Sequence, residues 1–140
     1  MSARSPWATF SLPGEEPAYA RGRSAEFRRT VRETFGPLVE WVERFPSGRH
    51  AWLMEEVPSE GSLSAFFRGL EKLLTPSGSL WVVFPKKPFK EECGFPFDWA
   101  DVQRAGLASG LVDNKIAAFS KRLTSIRFVI PVARRKAPGR

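Results

Sequence analysis

Two adjacent lysines, Lys86 and Lys87, directly follow an apolar run that ends at Phe84 and Pro85. Ammonium groups just beyond the end of a strand can receive a phosphate, a carboxylate or a nucleic-acid backbone. They can equally keep a loop in water, and the sequence leaves both interpretations open. Lys115 joins this predicted anion or partner site if its side chain reaches the same edge, although an edge-strand lysine that discourages aggregation is the favoured interpretation.

Other groups with reactive chemistry lack partners in the sequence. Glu55 and Glu56 are neighbours in a strand and therefore point to opposite faces, so we interpret them as polar residues of a loop edge. His50 is the only histidine and has no metal-ligand spacing around it. The carboxylates beside Cys93 should raise the pKa of its thiol. We therefore predict no catalytic residue, no metal and no cofactor.

Several aromatic side chains stand near basic residues and suggest either stacking platforms or core packing. Stacking on aromatic rings between basic residues is how single-stranded nucleic acid is bound. Core packing is the favoured interpretation, because small domains bury many aromatic rings. The residues concerned are Trp7, Phe10, Phe89, Phe95, Phe97 and Trp99.

The composition is that of one folded domain. The chain has 140 residues, of which 42% are hydrophobic, and this is enough for one core. A single cysteine allows no intrachain disulfide and fits a reducing compartment. No apolar run is long enough to span a membrane, and the first residues lack the pattern of a signal peptide. We expect a cytoplasmic protein that does not bind membranes.

The charge balance favours anionic partners. The formal net charge is +7, which is typical of proteins that bind nucleic acid or another anion. Part of the excess lies in residues 133–140, where four residues are cationic and none is acidic. This tail is either an RNA-binding segment or a solvated, disordered end, and the solvated end is favoured.

The order of predicted elements defines an α/β fold. Residues 1–23 are rich in proline, glycine and serine and predict an irregular arm. From residue 24 to residue 132 we predict one domain: a helix capped by Ser24, a second short helix up to Phe45, and then an alternation of strands and helices that ends in a hairpin. The later elements are a strand over 50–57, a helix over 63–74, a strand over 79–84, a helix between Asp98 and Gly110, and hairpin strands over 111–120 and 124–132. Helical crossovers make the sheet short and mostly parallel, with helices on both faces in three layers.

Two passages resemble known families. Leu74-Thr75-Pro76-Ser77-Gly78 before an apolar strand resembles the second half of class I S-adenosylmethionine (SAM)-dependent methyltransferases. Phe84-Pro85-Lys86-Lys87 and the passage from Gly110 to Lys115 resemble a bacterial family called domain of unknown function 3052. The first resemblance implies a methyltransferase-like sheet, and together the two cover roughly residues 50 to 132.

Methyltransferases hold SAM with a glycine-rich turn after the first strand, and an acidic residue at the end of the second strand binds the ribose. No Gly-x-Gly-x-x-Gly occurs before His50, and neither Gly14 nor Gly22 follows an apolar strand. The leading prediction is therefore a non-enzymatic module that binds an anionic partner such as nucleic acid. The alternatives are a degenerate or unusual SAM-dependent methyltransferase-like protein and a homodimer whose second chain completes the pocket.

Overall fold

The computed structural model describes residues 6–135, and in this range the chain forms one six-stranded sheet with the order β2-β1-β3-β4-β6-β5. The first four strands are parallel, whereas β6 runs antiparallel to both β4 and β5. This confirms the predicted α/β class with a mostly parallel sheet and a closing hairpin. The strands are β1 (Ala18–Arg21), β2 (Glu40–Trp41), β3 (His50–Glu56), β4 (Leu74–Pro85), β5 (Val112–Ala118) and β6 (Leu123–Val129).

Helices cover both faces of the sheet. They are α1 (Pro6–Phe10), α2 (Ala25–Phe35), α3 (Leu63–Phe67), α4 (Lys90–Cys93), α5 (Trp99–Ala108) and α6 (Val132–Arg135). Helices α1 and α2 pack on one face and α3 and α5 on the other, which leaves a hydrophobic core on each side. Within residues 6–135, no helix has the length and apolar character that crossing a membrane requires.

The central strands alternate between the two cores. In β3, Trp52 and Met54 pack toward α1 and α2, whereas Leu53 packs toward α3 and α5. In β4, Trp81 and Val82 divide in the same way. A strand that is covered on both faces must be apolar at every position, and this explains the continuous apolar runs of the sequence.

The amino-terminal part of the chain departs from the prediction. The irregular arm predicted for residues 1–23 is wrong for residues 18–21, because they form β1 between β2 and β3. The second short helix predicted up to Phe45 is also wrong, because Gly36–Leu38 is one 3-10 turn and Glu40–Trp41 is strand β2. The predicted tail begins in α6, and residues 136–140 lie outside the described residues.

The long helix predicted over residues 63–74 is interrupted. Helix α3 ends at Phe67, and Gly69 adopts a left-handed conformation with φ +84°. A left-handed glycine ends a helix because it turns the chain out of the helical path. A 3-10 turn over Leu70–Leu73 then leads directly into β4, so the apolar stripe is retained although the helix is not continuous.

Helix α5 approaches β6 closely at a glycine. A Cβ atom on Gly106 would lie 2.3 Å from Cε1 of Phe128, a ring that is fully buried. Such an approach is possible only without a side chain, because buried rings in a packed core have little room to move. Gly106 therefore sets the distance between this helix and the sheet.

We expect Gly106→Ala to lower the free energy of unfolding by about 1–3 kcal/mol, although alanine is the better helix former. The physical reason is the contact with the Phe128 ring, and denaturant titration measures the loss. The exposed neighbour Leu107 provides a control, since Leu107→Ala should change the stability by less than about 0.5 kcal/mol. An unchanged or raised stability of Gly106→Ala would contradict close packing at this position.

Candidate functional site

An open cleft of about 790 Å³ lies at the carboxyl ends of β1 and β3 and beside the segment that follows β2. Strand β2 lies on one side of β1 and strand β3 on the other, so the strand order reverses at β1. Ligands of open α/β sheets bind at such a reversal of strand order. We call this feature the strand-end cleft; its lining includes Arg21, Gly22, Arg23, Ser24, Glu43, Arg44, Phe45, Glu55, Glu56, Ser59, Glu60, Phe66, Leu70 and Leu73.

The turn from β1 to α2 is bound by the Glu56 carboxylate. Its Oε1 accepts hydrogen bonds from the backbone N–H groups of Arg23 (2.6 Å) and Ser24 (2.8 Å), and its Oε2 accepts one from the Ser24 hydroxyl (2.5 Å). Free N–H groups at a helix start attract anions. In this chain, the Glu56 carboxylate at the end of β3 occupies the two N–H groups that directly precede the helix, and the Ser24 hydroxyl accepts from the N–H of Phe27.

Gly22 stands at the point where this turn passes the end of β3. A Cβ atom at this position would lie 2.5 Å from a ring carbon of Phe27 and 2.8 Å from Cβ of Glu56. Only glycine fits this approach without displacing the helix or the carboxylate. Gly22 directly follows β1, whose Ala18 and Ala20 are buried, whereas the sequence led us to expect no apolar strand before it.

Glu55 points to the opposite side of the sheet from Glu56. Its side chain is buried, and its Oε2 lies 3.0 Å from Nε of Arg21. Burial raises the pKa of Glu55 to about 7, and the positive charge of Arg21 counteracts this only in part. The interpretation of this pair of glutamates as polar loop residues is therefore wrong, since both carboxylates have specific tertiary partners.

Glu43 and Phe45 line the cleft in the segment that follows β2. Glu43 is exposed and lies two residues beyond the end of that strand, whereas the Phe45 ring is buried against the core. Phe45, Phe66, Leu70 and Leu73 are large apolar residues of the same lining, and we call them the apolar wall. Small-molecule sites commonly combine such a wall with a few well-placed polar groups.

The three lysines of the predicted anion site do not lie together in the structure. Lys86 and Lys87 line a second cavity of about 520 Å³ with Lys90, Asp98 and Trp99; we call it the lysine cleft. Lys115 takes no part in this cleft, since its Nζ donates to the carbonyl oxygens of Ala8 (3.2 Å) and Thr9 (2.7 Å) at α1. The prediction that groups Lys115 with the other two lysines is therefore wrong.

The contacts of His50 and Cys93 indicate structural roles. The Nε2 atom of His50 lies 2.7 Å from the carbonyl oxygen of Pro46, and its ring packs edge-on to Tyr19. The pKa of the Cys93 thiol is raised, as the sequence predicts, but burial is the main cause and the nearby carboxylates add less. Within residues 6–135, no group of three or more histidine, cysteine or carboxylate side chains has an arrangement that could hold a metal ion.

Sequence reasoning missed Arg21, Gly22 and Glu43 as cleft residues. The signals were short: Ala18 to Ala20 before the glycine, and an alternating passage from Val39 to Glu43. The first resembles an irregular segment, and the second also fits a helical stripe. Both strands become recognisable only when they pair with their neighbours.

The fold of this chain is similar to that of methyltransferases of known structure. The magnesium protoporphyrin IX methyltransferase of Synechocystis, solved with bound SAM, has 12% identity and a TM-score of 0.55, and the match covers 89% of this chain and 74% of that one. The CcbJ methyltransferase of Streptomyces caelestis has 11% identity, a TM-score of 0.55 and 86% coverage of both chains. A TehB-like SAM-dependent methyltransferase of Corynebacterium glutamicum has 9% identity and a TM-score of 0.50, with 82% of this chain and 68% of that one covered.

These similarities show a methyltransferase-like Rossmann fold for this chain. No protein-family model and no curated protein sequence matches it. The comparison corrects the prediction of a cofactor-free module, because neighbours with this fold were solved with SAM or S-adenosylhomocysteine (SAH) bound. It also agrees better with the methyltransferase-like alternative than with the leading prediction of a non-enzymatic module.

Proposed function

We propose that this chain is a methyltransferase-like protein that binds SAM in the strand-end cleft. The observation that supports the proposal most directly is Glu43, an exposed carboxylate just beyond the second strand of a methyltransferase-like sheet. Methyltransferases bind the ribose of SAM with an acidic residue at that place. A carboxylate suits this role because it accepts hydrogen bonds from two neighbouring hydroxyl groups.

The adenosine part of SAM fits the residues of the cleft. Glu43 would hold the ribose hydroxyls, and the apolar wall of Phe45, Phe66 and Leu73 would lie against the adenine. Gly22 keeps the turn after β1 free of a side chain, so that the backbone lies close to the end of β3. A cleft of about 790 Å³ is within the usual range for cofactor sites.

The amino-acid end of SAM meets a different environment from that of a glycine-rich methyltransferase turn. The backbone donors of Arg23 and Ser24 are occupied by Glu56, so they are not free to bind the ligand carboxylate. Arg23 and Arg44 line the cleft and form no ion pair within residues 6–135, so their guanidinium groups could offset that carboxylate instead. The proposed contact with the SAM carboxylate therefore differs from that in methyltransferases with a glycine-rich turn, whereas the proposed contact with the ribose is the same.

Bound SAM would supply an electrophilic methyl group on a sulfonium. The chain itself contributes Glu55, whose pKa of about 7 is matched to proton uptake at neutral pH. Glu55 lines the same cleft from the end of β3. We propose that it accepts the proton that a methyl acceptor loses.

Isothermal titration calorimetry with SAM and SAH tests the proposal. Glu43→Gln should weaken binding by about tenfold or more, because hydrogen bonds to a charged acceptor contribute roughly 1.5–3 kcal/mol. Glu40→Gln is the matched control, since Glu40 is an exposed glutamate on β2 outside the cleft lining. This control should bind both ligands as the parent protein does.

Two results would contradict the proposal. The first is the absence of any saturable heat with SAM and SAH at millimolar concentration. The second is an equal loss of affinity in Glu43→Gln and Glu40→Gln, which would mean that net charge and not the ribose contact is measured.

A further inference from the structure

We propose that the lysine cleft is a second ligand site and binds a small aromatic anion. In this site Lys86 and Lys87 receive a carboxylate or phosphate, and the ring of the ligand packs against Trp99. The inference concerns a separate cavity and does not depend on SAM binding in the strand-end cleft. It rests on the charge, the rigidity, the exposed aromatic surface and the size of the cleft.

The charge of the cleft is positive and is compensated only in part. Lys90 forms an ion pair with Asp98, whose pKa is lowered chiefly by that hydrogen bond and less by Lys87. Among residues 6–135, no carboxylate lies within ion-pair distance of the ammonium groups of Lys86 or Lys87. These two lysines are therefore available to an anionic ligand.

The backbone that carries the lysines is held in place. Lys86 N–H donates to the carbonyl oxygen of Arg122 (2.8 Å), and the Lys86 carbonyl accepts from Phe89 N–H (2.9 Å). Pro85 is paired with Leu123 in the sheet. A ligand therefore meets a preformed backbone and has to order only the lysine side chains.

Trp99 gives the cleft an unusual exposed aromatic surface. Its side chain is 37% exposed at the first position of α5, whereas Phe84 in the cleft lining is only 2% exposed. Within the described residues, the indole N–H of Trp99 has no hydrogen-bond partner, in contrast to those of Trp52 and Trp81. The indole can therefore offer both a stacking face and a donor to a ligand.

The size of the cleft favours a small molecule over a nucleic-acid strand. A volume of about 520 Å³ lies within the range of small-ligand sites. A single strand instead follows a positively charged groove over several nucleotides, with aromatic rings repeated along it. The cleft has one exposed indole in its lining, which fits one ring.

A titration followed by nuclear magnetic resonance tests the inference with phenyl phosphate and benzoate as probes. Both should bind saturably, with backbone shifts at residues of the lysine cleft. Inorganic phosphate and benzyl alcohol should each bind about tenfold more weakly or worse, because each keeps only one of the two contacts. Preference for phenyl phosphate or for benzoate distinguishes a phosphate-bearing from a carboxylate-bearing ligand.

Three variants locate the site. Lys86→Gln with Lys87→Gln should weaken phenyl phosphate by about tenfold or more, and Trp99→Ala should weaken it by about fivefold. The control is Lys72→Gln with Lys121→Gln, which removes the same charge from exposed lysines outside the cleft. The control should bind as the parent protein does, and thermal unfolding checks that all variants are folded.

The inference would be overturned if the aromatic anions show no saturable binding, or if the control loses as much affinity as the cleft variant. A titration with oligothymidylate tests whether the cleft binds nucleic acid instead. If it binds at the lysine cleft more tightly than phenyl phosphate does, and the affinity rises with strand length, the cleft belongs to a nucleic-acid surface and the small-ligand proposal is wrong.

Discussion

Replacing both Trp52 and Trp81 by phenylalanine should destabilise the protein by more than the sum of the two single replacements. Both indole N–H groups donate to the same acceptor, the carbonyl oxygen of Phe10, at 2.7 and 2.9 Å. Both side chains are fully buried in the core beneath α1 and α2. Each single variant leaves one donor on that carbonyl, whereas the double variant removes both.

The expected magnitudes follow from the loss of volume and of hydrogen bonds. Each single replacement should cost about 1–2 kcal/mol, since it removes part of a buried ring and one of two bonds. The double variant should cost a further 1–3 kcal/mol, roughly, because a buried carbonyl then loses both indole donors. Denaturant unfolding of the four proteins gives the coupling free energy directly.

The exposed indole of Trp99 provides the control for this cycle. Trp99→Phe should leave the stability within about 0.5 kcal/mol of the parent protein. If the losses at Trp52 and Trp81 simply add, the two hydrogen bonds to the Phe10 carbonyl are not coupled, and the interpretation of this shared acceptor is wrong.

The second large effect is a dependence of stability on pH that comes from Glu55. The pKa of this carboxyl is raised by burial from an ordinary value of 4.5 to about 7. The folded protein therefore binds a proton between these values when the unfolded chain does not. The stabilisation from the protonated form is fully present below pH 4.5 and is lost as the pH rises through about 7.

The loss across this window should be on the order of 3 kcal/mol for this one group. Replacing Glu55 by glutamine keeps the shape and removes the titration. The free energy of unfolding of Glu55→Gln should therefore change less between pH 5 and pH 7, by about 2 kcal/mol, since this interval covers most of the window. Chemical denaturation at a series of pH values measures it. Glu60→Gln, an exposed glutamate of the same cleft, should keep the slope of the parent protein.

A Glu55→Gln variant with the same pH dependence as the parent protein would contradict the assignment. In that case the carboxyl of Glu55 would be ionised in the folded protein throughout the range, held by its ion pair with Arg21. Arg21→Gln separates the two cases. If the ion pair keeps Glu55 ionised, this variant should acquire a pH dependence of stability that the parent protein lacks; if burial dominates, the dependence already present in the parent should move to higher pH.

Some elements were predictable because their sequence pattern records burial directly. Strands β3 and β4 have continuous apolar runs because helices cover both of their faces. Ser24 begins α2 as predicted, and its hydroxyl accepts from Phe27 N–H at 3.1 Å. The hairpin of β5 and β6 follows from a short polar connection between two β-type segments. In each case the signal lies within one segment of the chain.

Other elements were not predictable because their conformation depends on distant partners. Strand β1 has only four residues, two of them alanine, and is a strand because it pairs with both β2 and β3. Lys115 lies in β5, but its side chain binds carbonyl groups of α1 that lie more than a hundred positions away in the chain. Local propensity is weak for such short segments, and tertiary pairing decides them.

The sequence by itself determined the fold class, the central strands and the position of Lys86 and Lys87 beyond β4. The tertiary structure alone decided where the carboxylates lie. Glu56 binds the backbone at the start of α2, Glu55 pairs with Arg21, and Glu43 lines the strand-end cleft. The physical reason is that hydrophobic periodicity is a local property, which each segment carries in its own residues. The pKa of a carboxyl and the lining of a cleft depend on burial and on charges that only folding brings together.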